Sequence, residues 1–175
     1  MHSDARNEVS RAVLDSIRRI VRVLRESSAL AERKVGISGA QLFVLQNLAE
    51  APAMSVGELA ERTLTHQSTV SVVVRKLVEK GLVTKVASSE DARRVDLGVT
   101  PRGRVLLSRA PGAAQERLFA GVRSLSASER KTLAKILGKL TAAVESTPRA
   151  PVMFFEEEDD AADARPAARR PRRKS

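Results

Sequence analysis

The sequence predicts a mainly α-helical fold carrying one small β-hairpin, on three observations. Apolar residues recur at helical spacing in six stretches of the 175-residue chain. Four of those stretches follow a hydroxyl residue placed in a helix-capping pattern. A single stretch, residues 82–99, instead alternates apolar with polar residues, the two-residue period of a half-buried strand.

Val9, Val13, Ile17, Ile20 and Leu24 mark a long first helix, with Arg11, Arg18, Arg22 and Arg25 off that stripe as a solvated face. Ser38-Gly39-Ala40-Gln41 is a capping box, Ser at N-cap and Gln at N3, and opens a second helix on Leu42, Leu45 and Leu48 that Ala51-Pro52 ends. Ser55-Val56-Gly57-Glu58 opens a short third helix to about Arg62. The fourth spans about His66 to Lys80, with Val70, Val73, Val74 and Leu77 as its buried stripe and Gly81 as its stop. Leu82 to Val86, and then Val95, Leu97 and Val99, make two short strands joined by the charged tip Ala87-Ser88-Ser89-Glu90-Asp91-Ala92-Arg93-Arg94. Thr100-Pro101 opens a helix predicted to run unbroken to about Arg123, with Val105, Leu106 and Leu118 on its stripe. Ser126-Ala127-Ser128-Glu129 opens the last, to about Glu145, on Leu133, Ile136, Leu137, Leu140 and Val144.

Composition narrows the function. Lys and Arg number 31 against 21 Asp and Glu, a net charge of +10, which points to a polyanionic partner. The absence of Cys excludes disulfide frameworks, thiolate catalysis and Fe–S clusters. With only His2 and His66, neither a His-rich metal site nor a Ser-His-Asp triad is expected. There is no phosphate-cradling Gly-rich loop and no paired nucleophile and base, so no enzyme, no metal and no cofactor is expected. No apolar run approaches the ~18 residues that cross a bilayer. The first eight residues lack the basic-then-apolar order of a secretion signal, so a cytoplasmic protein without a membrane partner is expected.

The composition breaks at Thr147. Residues 147–175 carry Pro, an acidic block at 156–160 and an Arg-Pro end at 165–174, and are predicted to be disordered. This tail has seven basic and six acidic residues and contributes +1, leaving +9 on residues 1–146. Its Arg-Pro end reads either as an inert extension or as a phosphate clamp, and its carboxylates either as competitors of phosphate or as partners of those arginines.

Leu59-Ala60-Glu61, the connection Thr63-Leu64-Thr65 and a following helix that starts with small polar residues spell a helix-turn-helix. Its second helix needs one face for its scaffold and a polar N-terminal face for the major groove. Val70, Val73, Val74 and Leu77 serve the first need; Gln67, Ser68, Thr69 and Ser71, with Arg75 further along, serve the second. Gln pairs with adenine, and short hydroxyls allow close approach and bond to phosphates or bases. His66 stands at the helix start as a phosphate contact rather than a metal ligand. With the hairpin as a wing, the expected architecture is a winged helix-turn-helix (about 38–100) beside a helical lobe (about 7–34 and 101–146).

Leu59-Ala60-Glu61, Ser68-Thr69-Val70-Ser71 and Leu77-Val78-Glu79-Lys80-Gly81-Leu82-Val83 resemble the winged helix-turn-helix of the MarR family of bacterial transcription regulators. Asp91-Ala92-Arg93-Arg94 and Val99-Thr100-Pro101-Arg102-Gly103 resemble that family's wing and its exit, so the likeness covers roughly residues 10 to 145. The resemblance implies that Asp91 steadies the wing and that Arg93, or Arg94, reaches the minor groove. It implies a homodimer joined through the first and last helices, acting on double-stranded DNA in the bacterial nucleoid as a ligand-responsive repressor with a small aromatic or phenolic effector. Phe43 or Phe119 fits the lining of an effector crevice or an ordinary core equally well. The family often carries Arg where this chain has His66-Gln67, and a basic residue where it has Val72, which shifts base reading toward Gln67 and hydroxyls. The alternative from a different class is a nucleoid-associated winged helix that binds DNA without sequence preference.

Overall fold

The computed structural model describes residues 2–51, 53–87, 95–145 and 153–154, with side chains from residue 7 onward. Seven helices and one hairpin follow one another in these residues: α1 (His2–Val35), α2 (Gly39–Glu50), α3 (Val56–Arg62), α4 (Gln67–Glu79), β1 (Val83–Ala87), β2 (Val95–Val99), α5 (Pro101–Arg109), α6 (Ala114–Ser124) and α7 (Ala127–Val144). The strands pair antiparallel, Val83 opposite Val99 and Ala87 opposite Val95.

All four start signals are caps in the structure. Ser38, Ser55 and Ser126 close reciprocal capping boxes with Gln41, Glu58 and Glu129, and the Thr100 hydroxyl accepts from the Gly103 amide. Each satisfies helix-end amides that water or nothing would otherwise meet. At the start of α7 the Ser126 hydroxyl and backbone amide hold the Glu129 carboxyl below its ordinary pKa. That contribution is present at neutral pH and is lost as the pH falls through the lowered value.

The core is built around α2, whose Leu42, Phe43, Val44, Leu45 and Leu48 are all buried. Val70, Val73, Val74 and Leu77 of α4, Leu59 of α3, and Leu97 and Val99 of β2 close on it. From α1 only the C-terminal part takes part: Leu24, Ser28 and Ala31 are buried, and every side chain described before Leu24 is exposed except half-buried Asp15. No residue of α7 is buried.

Four features differ from the sequence expectation. The helix expected over 101–123 is two, α5 and α6, because Pro111 excludes the helical conformation from Ala110, which stands at φ −76°, ψ 146°. Val105, expected on the inner stripe, is exposed, while Leu106 and Leu107 pack on the core. Strand β1 is exposed after Val83, since a two-stranded ribbon has core behind it only at its base. Within the tail expected to be disordered from 147 on, Met153 is buried in the core cluster.

Candidate nucleic-acid interface

The turn between α3 and α4 is fixed by its own backbone. The Thr63 amide and hydroxyl both donate to the Leu59 carbonyl, at 2.9 and 2.7 Å, and the Thr65 amide donates to Ala60 at 2.9 Å. Leu64 takes the left-handed conformation, φ 49°, that reverses the chain, with its side chain exposed. Behind the turn, Arg62 Nε donates to Asn47 Oδ1 at 3.0 Å and its guanidinium pairs with Glu50, locking α3 to α2.

His66 is the N-cap of α4, exposed and making no side-chain capping bond. Gln67, Ser68, Ser71 and Arg75 form one exposed row along the helix, opposite the buried valines. The Ser71 hydroxyl donates to the Gln67 carbonyl at 2.8 Å and so faces outward as an acceptor. Thr69 departs from the expected groove row: it is only 9% exposed, because it adjoins Val70 on the inner edge of the stripe.

The hairpin is stitched to the end of the same helix. Gly81, at φ 67°, turns the chain out of α4. The Thr100 amide then donates to the Leu82 carbonyl at 3.0 Å and its hydroxyl to the Gly81 carbonyl at 2.8 Å. The Leu97 amide donates to Met54 at 2.8 Å, tying β2 to the segment before α3. Helix α4 and the wing base are thus one rigid unit, with Lys85 exposed on β1. Asp91, Arg93 and Arg94, expected at the wing tip, lie outside the described residues.

Beside the turn lies an apolar crevice that sequence reasoning found only in part. Phe43 and Phe119 stack in it with centroids 5.1 Å apart, and it is lined further by Leu64, Thr65, His66, Gln115, Met153 and Phe154. Gln115 was invisible as a site residue, since a glutamine in an amphipathic helix reads as solvent-facing. The one signal for Met153 and Phe154 was an apolar cluster stranded in a charged tail.

The MarR family model matches residues 35–94, from the end of α1 through the wing. The HTH-type transcriptional repressor Rv2887 of Mycobacterium tuberculosis is 30% identical over 125 residues, 70% of this chain and 88% of that protein. The HTH-type transcriptional repressor MdtR of Bacillus subtilis is 29% identical over 113 residues, 65% of this chain and 73% of its own. Among solved structures, the transcriptional regulator BldR from Sulfolobus solfataricus superposes with a TM-score of 0.51 at 25% identity, over 78% of this chain and 97% of that one. On these likenesses, and with a helix-turn-helix followed by a two-stranded hairpin, the chain belongs to the MarR family of winged helix-turn-helix regulators, proteins that bind DNA to control transcription.

Proposed function

We propose that the protein is a homodimeric, sequence-specific repressor that binds a pseudo-palindromic operator in the cytoplasm and is released by a small aromatic or phenolic effector. The observation that carries this reading is the exposed row of His66, Gln67, Ser68, Ser71 and Arg75 on α4, joined through Gly81 and Thr100 to the base of the hairpin. That row is short and polar, so the helix can lie deep in the major groove; Gln67 reads a base edge, while the hydroxyls and cations hold phosphates. Arg93 or Arg94, oriented by Asp91, reaches the flanking minor groove. Thr69 supports the helix from inside rather than reading DNA. The exposed apolar rows on α1 and α7 supply the dimer contact. The repressor activity named for the relatives Rv2887 and MdtR supports the direction of control.

A two-fold dimer presents its two recognition helices to successive major grooves, so half-sites fall about 10 base pairs apart, centre to centre. Footprinting on the DNA upstream of the protein's own gene and its neighbours tests this. Protection of one discrete palindrome is the expected result; uniform protection at every sequence replaces the regulator with a packaging protein.

A further inference from the structure

We propose that the apolar crevice beside the helix-turn-helix is a docking site for the chain's own C-terminal segment. Met153 and Phe154 seat there, bringing the carboxylates of residues 156–160 to the N-terminal end of α4 as an intramolecular competitor of DNA phosphate. The inference rests on α4 being the DNA-reading helix.

The seat is built on both sides of the contact. Met153 is 5% exposed and belongs to the same buried cluster as Phe43 and Leu59, although it follows α7, none of whose residues is buried. The Phe154 carbonyl accepts a hydrogen bond from Gln115 Nε2 at 3.1 Å. Gln115 is itself 4% exposed, and its Oε1 is buried without a hydrogen-bond partner among the described residues. Without Phe154, the Gln115 Nε2 group loses this acceptor as well. Met153 is therefore a member of the core cluster although it lies beyond the last helix.

The position of the seat decides what it does. The same crevice is lined by Leu64, Thr65 and His66, the residues that lead into α4. Glu156 is two residues beyond Phe154, at most about 7 Å of chain, and residues 156–160 add at most about 17 Å. Helix α4, Gln67–Glu79, is about 20 Å long. The five carboxylates therefore reach the first turns of the reading face without leaving their anchor. On this proposal they would face the positive end of the helix dipole, where the N-cap His66 makes no side-chain capping bond. A tether this short holds them at an effective concentration in the millimolar range or above. The six cations at 165–174 lie beyond the acidic block in the sequence.

The test uses the full chain, whose lack of cysteine permits a single nitroxide tag through Ala161→Cys. Only two histidines are present, so the His66 ring signals are assigned with His2→Gln. The expected result is paramagnetic broadening of His66 that Met153→Ser abolishes, with the circular dichroism spectrum retained. Met153→Ser, and separately Gln or Asn at all five of 156–160, should each raise affinity for random duplex at low salt by at least about threefold, fading near 0.3 M as screening shortens. Combining the two should add nothing further, because anchor and charge act as one device. His66 left sharp beside normal DNA binding overturns the docking. Broadening that Met153→Ser abolishes without any change in affinity overturns the competitor role. Failure of every variant to bind any DNA overturns the regulator reading and the competitor role together, while His66 broadening still supports the docked segment.

Discussion

At Gly103, α5 leaves the wing so close to its base that a Cβ there would stand 2.4 Å from the Leu82 carbonyl oxygen and 2.8 Å from Val99 Cγ1. Neither neighbour yields readily, since the Leu82 carbonyl accepts from the Thr100 amide and Val99, the last residue of β2, is buried in the core. Gly103→Ala is therefore expected to destabilise by about 1–3 kcal/mol through overpacking, read as a lower urea midpoint with an unchanged slope. On the reading face the relevant residue is Gln67, exposed at the first position of α4. Gln67→Ala should cost roughly 1–3 kcal/mol on operator DNA and relax preference at one base pair per half-site if its amide makes a bidentate contact. Equal losses on operator and random duplex would reassign Gln67 to the phosphate backbone.

Elements whose instructions are local were legible in the chain. Ser38, Ser55, Thr100 and Ser126 each carry a capping oxygen and its partner within three residues, and α2, α3, α5 and α7 begin one residue after them. The apolar stripe of α4 was equally plain, because Val70, Val73, Val74 and Leu77 have no other periodicity to satisfy. What escaped depends on partners distant in sequence. The break at Pro111 was hidden by apolar residues that continue on both sides of it, and the burial of Thr69, Gln115 and Met153 is decided by neighbours up to a hundred residues away. The proposed role of the wing arginines belongs to this scale too, since they would act through the hairpin that carries them. Arg93→Ala should weaken binding to all sequences and lower the salt slope by about 1 per subunit if it neutralises one phosphate. A loss confined to A·T-rich flanks would place Arg93 inside a narrow minor groove, and unchanged affinity on both would remove it from the interface.

For the molecule as a whole, the unmatched surface is the helical lobe. Residues 2–23 of α1 project about 33 Å, and Val13, Leu14, Ile17 and Ile20 on this stretch are 39–51% exposed. On α7, Leu133, Ile136, Leu137 and Leu140 are 37–50% exposed, and no residue of the helix is buried. Two amphipathic helices of this length are not stable in water with their apolar faces bare, since helix stability in proteins comes chiefly from packing such a face. Covering one half-exposed Leu or Ile contributes roughly 1 kcal/mol, and a stable interface removes about 1,200–2,000 Å² from water. On the proposed dimer, a second copy would supply a matching pair of stripes through one two-fold axis, and the same axis would set the spacing of the recognition helices. Sedimentation at micromolar concentration should therefore give twice the chain mass. Leu137→Asp, placing a charge in the middle of the α7 stripe, should shift the species to monomer. It should also weaken operator binding by far more than random-duplex binding, because only the operator requires both half-sites at once. Sedimentation of the parent chain as a stable, fully helical monomer would refute the dimer and leave each α4 to bind a single groove.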